Sequence, residues 1–188
     1  MDNGASSYRR FLGGDDSGFV EIIRDYKDGL ILFLHSITHD LTLAEELCED
    51  TFVRIAVKKP RFSEKSSFKT FLYAIGRRVA AEHLRKLSGR KIASLEALSE
   101  EGFDLPDEED LAESYLLDER KRTVHRALGR LSETHRKVLW LVYFEDMSMR
   151  EAADVLGKSV HATETLIWRA RLSMKAELEK EGMNSENI

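Results

Sequence analysis

The 188-residue chain has a single cysteine, no glycine-rich phosphate loop, no long apolar run and no alternating strand pattern of useful length. Each shortage removes a class of protein. Cys48 alone permits neither an intramolecular disulfide nor a cysteine-based zinc site, which fits a reducing compartment. No stretch approaches the roughly 18 apolar residues that span a bilayer, and residues 1–14 lack the apolar centre of a secretion signal. A soluble, cytoplasmic protein without membrane insertion is expected. Nor is there an H-E-x-x-H run or a Ser/Cys–His nucleophile set, so no enzyme, cofactor or metal is expected. His35 and His39 have the spacing of two helical metal ligands, but near a helix end they read as C-terminal caps.

What is present is an abrupt reversal of charge. Residues 54–91 hold twelve Lys/Arg against two acids, and residues 92–119 hold eleven acids and no base. The net charge of −5 conceals this, because the acidic stretch cancels the basic one. A concentrated basic surface is the footprint of a polyanion site, most often nucleic acid. The acidic segment, with Gly102 and Pro106 in it, reads as a linker that stays mostly disordered when free.

Helical periodicity dominates on both sides of the linker. The first domain, residues 15–90, should hold four helices. One begins after Ser17 with Phe19, Val20, Ile22, Ile23 and Tyr26 apolar, and a second covers residues 30–37. A third is opened by a Thr42/Glu45 capping box and closed by Pro60. The fourth covers residues 68–87 and is stopped by Gly89. Residues 91–112 form the linker, with a possible short helix at 94–99. The second domain, residues 113–182, should hold helices at 116–129, 133–144, 149–156 and 160–181. Ser132 and Ser159 are placed as N-caps, and Ser148 with Glu151 as a capping box. The expected architecture is all-α, two small helical domains on a flexible acidic linker, the second carrying a helix-turn-helix.

Three surfaces carry chemistry. On the third helix Ala44, Leu47, Cys48, Thr51 and Ile55 share one side, and Glu45, Glu46, Glu49 and Asp50 the other. The pairs Glu45/Glu49 and Glu46/Asp50 repel at i, i+4. Such a stripe is either a solvated face or a ridge for a cationic partner. On the fourth helix Phe68, Phe71, Leu72, Ile75 and Val79 form the buried stripe. Thr70, Ala74, Arg77, Arg78, Ala81 and Arg85 lie opposite, small residues letting a phosphate backbone approach between arginines. Arg61, Phe62, Ser63, Lys65 and Ser66 precede Lys69 in a basic loop, the furnishing of a single-strand site; Phe62 either meets bases or packs inward. The third surface is the helix-turn-helix itself, with Gly157 at the turn and Ala153 allowing close helix crossing. Its second helix would present His161, Ala162, Thr165, Trp168 and Arg169 to base edges, with Lys158 and Arg171 near phosphates.

Together these residues resemble a bacterial RNA polymerase sigma factor of the two-domain, extracytoplasmic-function type. Ala44-Glu45-Glu46-Leu47 and Glu49-Asp50-Thr51-Phe52 are similar to the family's A-E-D-L-x-Q-E-T-F stretch. Phe68 to Leu72, Ile75-Gly76-Arg77-Arg78-Val79-Ala80 and His83-Leu84-Arg85 resemble its F-x-x-W-L … I-A-R-N-x-A … H-L-R block. Beyond the linker, Leu131-Ser132, Arg136-Lys137-Val138, Glu151 to Gly157 and Arg169-Ala170-Arg171 complete the match. The resemblance implies that Glu45, Glu46, Glu49 and Asp50 dock on the largest subunit of core RNA polymerase. It implies that Arg61, Phe62, Ser63, Lys65, Lys69, Arg77, Arg78 and Arg85 capture the minus-ten promoter element, with flipped bases held by the loop. Lys158, Ser159, His161, Ala162, Thr165, Trp168, Arg169 and Arg171 would read the minus-thirty-five element, while neighbouring helices hold the second-largest subunit. An anti-sigma factor is a further implied partner.

Several residues depart from the pattern. Glu46 and Glu49 stand for Asp and Gln, keeping the acidity, and Phe71 stands for Trp. Arg78 stands for Asn at the centre of the DNA-facing helix. Glu164 and Leu166 stand for the customary Lys and Arg, which implies a changed promoter preference. The rival reading is an operator-binding regulator that needs no polymerase; such a protein has no use for the acidic stripe or the basic loop and helix.

Overall fold

A computed structural model of the chain describes residues 3–95 and 119–182, and every regular element among them is helical. Helix α1, Asn3–Leu12, was not expected from the sequence. Ala5, Tyr8 and Phe11 repeat at helical spacing and are buried against α2 and α4, though Arg9 and Arg10 break the apolar look of the segment. Helix α2, Ser17–Thr38, is continuous where two segments were expected. Gly29 does not break it. A Cβ there would come within 2.6 Å of the Tyr73 hydroxyl, so the glycine marks a close approach between helices instead of a turn.

Helix α3, Leu41–Lys58, starts two residues earlier than expected. Its cap is Asp40, whose carboxylate accepts from the Leu43 N–H at 2.9 Å, in place of the Thr42/Glu45 box. An ionised cap also answers the positive helix terminus, which a threonine hydroxyl does not. Helix α4, Phe68–Leu95, runs through Gly89 instead of stopping there. One interior glycine costs about 1 kcal/mol, too little to break the helix when the bonds on either side are kept. The expected helix at 94–99 thus loses its first two residues to α4. Its remainder, and most of the expected linker, lie outside the described residues.

In the second half, α5 is Glu119–Gly129 and α6 is Glu133–Leu139, capped by Ser132. The expected helix 133–144 changes character at Trp140: residues Trp140–Phe144 form a π-helical turn, in which the Glu145 N–H donates to the Trp140 carbonyl at 3.1 Å. The widened turn brings Trp140 and Phe144 into a parallel stack at 4.4 Å. Helix α7, Met149–Leu156, has the expected Ser148/Glu151 capping box, and α8, Val160–Lys180, is capped by Ser159.

The two halves share one continuous apolar core. Helix α4 packs on α7 and α2 packs on α6, so the helix-turn-helix sits directly against the first half. No described helix is long and apolar enough to cross a membrane.

Candidate nucleic-acid and protein interfaces

Helix α3 presents the acidic stripe as its spacing requires. Ala44, Leu47, Cys48, Thr51 and Ile55 are buried, and Glu45, Glu46, Glu49 and Asp50 are all exposed. Arg54, one turn beyond Asp50, turns instead to Glu82 at 2.8 Å, leaving the stripe facing outward without that cation. Beside it runs a shallow apolar groove between α2 and α3, lined by Phe19, Ile23, Phe52 and Val53. Cys48 lies beneath it, its thiol pushed up to about 12 by burial, which makes it an inert core residue.

The basic loop and α4 split into two groups. Arg61, Ser63, Lys65, Arg78 and Arg85 are exposed. Phe62 is half-buried, edge-on to Phe68 at 5.7 Å and 5.1 Å from the Phe71 ring, the packed one of its two placements. Tyr8 holds this loop from behind: its hydroxyl donates to the Pro60 carbonyl at 2.7 Å and its ring meets Phe62. Arg9 pairs with Glu64 at 3.2 Å. Nothing in the local pattern of residues 3–12 signalled this support, which depends on contacts more than fifty residues apart.

Lys69, Thr70 and Arg77 behave differently. Thr70 was expected to face outward and is buried, because α7 lies over this part of α4. Lys69 Nζ is 2.7 Å from the Glu145 carboxylate and donates to its backbone carbonyl at 2.9 Å. The Tyr73 hydroxyl donates to the same carboxylate at 2.9 Å, and the Trp140 indole N–H at 3.3 Å. Burial first, and Glu145 second, hold the Tyr73 phenol far above its usual range. Ser67 and Thr70 donate to Glu151 at 2.8 and 3.3 Å. Burial alone would raise the Glu151 carboxyl. The hydrogen bonds from Ser67, Ser148 and Thr70 outweigh it and hold the group below the usual carboxylate range. Arg77 lies under the turn of the helix-turn-helix, where a Cβ on Gly157 would come within 3.1 Å of its guanidinium. Its Nε is buried with no hydrogen-bond partner.

A second polar contact joins the halves at the end of α2. His39 has left-handed backbone, φ +58°, and its N–H closes the helix on the His35 carbonyl, the capping role expected for this pair. The Arg136 guanidinium of α6 lies 2.6 Å from His39 Nδ1 and donates to the Leu131 carbonyl at 2.8 Å. Burial first, then the charge of Arg136, lowers His39 to about 4, with His35 adding to the effect and Glu133 opposing it. Burial lowers Arg136 itself to about 10, so it stays charged at neutral pH. A His lowered on folding is neutral in both states above pH 6.5. Below that, only the unfolded chain takes the proton, so stability falls as the pH drops from about 6.5 toward 4. Thermal melting should therefore decline more steeply between pH 7 and pH 5 for the native chain than for His39→Asn, since asparagine keeps the left-handed cap. Parallel declines would remove His39 from the contact.

In the helix-turn-helix, Gly157 is left-handed at φ +65° and Ala153 is 1% exposed, as the close crossing demands. Lys158, Ser159, His161, Ala162, Thr165, Trp168, Arg169 and Arg171 are exposed together on the outer side of the turn and α8. Trp168 is 61% exposed, more than packing alone explains for so large a ring. Arg171 lies over the Tyr143 ring at 5.4 Å, which fixes its direction. Among the described residues there is no cluster of three metal-ligating side chains.

Known proteins share both halves. Residues 22–90 match the Sigma-70 region 2 family model, and residues 121–174 match Sigma-70, region 4. RNA polymerase sigma factor YlaC of Bacillus subtilis is 31% identical over 164 residues, covering 85% of this chain and 91% of that protein. ECF RNA polymerase sigma factor SigC of Mycobacterium tuberculosis is 30% identical over 148 residues, 77% of this chain and 75% of that protein. Among solved structures, the sigma factor RpoE in complex with the anti-sigma factor NepR from Bartonella quintana has a TM-score of 0.67 at 24% identity. It covers 86% of this chain and 96% of its own.

Proposed function

The chain belongs to the extracytoplasmic-function sigma factors of RNA polymerase, and from that premise we propose how its surfaces divide the work of promoter-specific initiation. Glu45, Glu46, Glu49 and Asp50 dock on the largest subunit of core polymerase. The exposed stripe of like charge carries this reading, because it has no role within the fold and costs helix stability where it stands. The basic loop (Arg61, Ser63, Lys65) with Lys69, Arg77, Arg78 and Arg85 takes the minus-ten element. The outer side of α8 reads the minus-thirty-five element. On this reading α1 joins residues 15–90 in one unit, residues 113–182 form the other, and 91–112 connect them. The chain works in the cytoplasm without catalysing a reaction, and an anti-sigma factor restrains it.

Run-off transcription with purified core polymerase on a promoter library tests the proposal and reports both elements at once. Start-site choice is the expected result; an operator-binding regulator would give none. In the same library His161→Ala should change preference at the upstream element more than total output, since base-edge contacts specify and phosphate contacts position. Unchanged selectivity would take His161 out of the reading set. Arg78→Ala with Arg85→Ala should flatten the salt dependence of promoter binding by between about 1.4 and 1.8 units of slope. An unchanged slope would mean that neither guanidinium meets a phosphate.

A further inference from the structure

The face assigned to the minus-ten element is partly covered by the chain's own second half. Lys69, Thr70, Tyr73 and Arg77 form one stripe along α4 at helical spacing. Two carboxylates from the other half lie on it. Glu145 accepts from Tyr73 and Lys69, and Glu151 from Ser67 and Thr70, while Gly157 covers Arg77. The donors are of the kinds that hold phosphate oxygens: a lysine, hydroxyls and an arginine. The acceptors are the anions a folded chain can supply in their place. The Glu145 side chain is only 9% exposed, so the contact is withdrawn from water and charge-assisted.

The match is not complete. Arg77 keeps a buried Nε with no acceptor, so the closed arrangement leaves a desolvated cation partly unanswered. A phosphate backbone could answer it. The contact is therefore built to be displaced by a better anion or by a partner that separates the halves.

We propose that Glu145 and Glu151 are a carboxylate latch that fills the phosphate-binding donors of α4 and keeps the free sigma factor closed. The latch rests on the reading of α4 as a DNA face. Opening it frees Lys69, Thr70, Tyr73 and Arg77 for promoter DNA and the helix-turn-helix for the upstream element. Core polymerase, by holding the two halves at separate sites, releases both together.

The test uses the full chain. Cysteines introduced at Val57, which is 76% exposed, and at Lys175 place one spin label on each half. Buried Cys48 stays unlabelled, its thiol being protonated. The native chain should give one short, narrow inter-label distance. Glu145→Gln with Glu151→Gln should give a longer and broader one. Glutamine at position 151 still completes the capping box, so α7 keeps its start. Losing two charge-assisted contacts should also speed association with core polymerase roughly tenfold. Should the amides hold the contact, Glu145→Lys sets like charges against Lys69 and removes that possibility. Unchanged distance and association rate in all these variants would overturn the latch. The DNA reading is judged separately, by the salt slope of Arg78→Ala with Arg85→Ala, residues outside the latch. An open latch with an unchanged slope would leave the closure standing and remove the DNA face beneath it.

Discussion

Glu46→Lys with Asp50→Lys is expected to lose core RNA polymerase in pull-down, with affinity down about 100-fold or more. Reversing a charge at a protein interface converts an attraction into a repulsion, and close charge pairs there are worth about 1.5–7 kcal/mol. Both side chains are exposed, and neither caps a helix nor enters the core. The change in folding stability should stay within about 0.5 kcal/mol. That separation gives the prediction its force, because a variant that melts like the native chain but no longer co-purifies has lost a surface and not a fold. Reduced association should appear chiefly as slower binding at low salt and fade as salt rises. Retention of polymerase by this variant would make the acidic stripe a solvated face after all, and would bring back the polymerase-independent regulator.

The stripe was legible because it is a local pattern. Its charges sit at i, i+4 on one helix whose other side is plainly apolar, and periodicity alone separates the two. The same holds for the helix-turn-helix, where Ser148, Glu151, Gly157 and Ser159 spell out a capped helix, a left-handed turn and a second cap within twelve residues. Gly29 and Gly89 show where local signals mislead. Gly89 was read as a stop, and the segments on either side of Gly29 were read as separate; both glycines lie inside helices, the first where Tyr73, forty-four residues on, leaves no room for a Cβ. Asp40 was passed over in favour of Thr42, whose spacing to Glu45 spells a capping box although Thr42 lies inside the first turn of the helix. The covered stripe of α4 was beyond the sequence for a different reason. Its partners Glu145 and Glu151 are more than seventy residues away, across a linker; in sequence Glu145 looks like an ordinary surface acid and Glu151 like a helix-capping one. Composition reported a basic face correctly and could not report what lay on it.

Helix α1 is the other element the sequence did not announce, and it supports the largest expected loss of stability. Tyr8 is fully buried among Phe11, Phe62, Phe68 and Phe71. Its phenol is raised by burial, and its hydroxyl satisfies the Pro60 carbonyl where the chain leaves α3 for the basic loop. Tyr8→Ala deletes a large ring from a packed cluster and leaves that carbonyl without its donor. Aromatic-to-alanine changes in cores cost about 3–5 kcal/mol, and the loss of this part-buried hydrogen bond adds about 1 kcal/mol. At about 2–4 °C per kcal/mol for a chain of this size, Tm should fall by roughly 10 °C or more. Tyr8→Phe keeps the ring and loses only the hydroxyl, so its cost should be about 1 kcal/mol. The two variants separate packing from positioning. If α1 only fills the core, Tyr8→Phe should bind promoter DNA as the native chain does once both are folded. If the hydroxyl fixes the loop that carries Arg61, Ser63 and Lys65, Tyr8→Phe should lose discrimination at the minus-ten element while its upstream preference stays intact. A Tm for Tyr8→Ala within 2 °C of native would show that α1 is not docked as described.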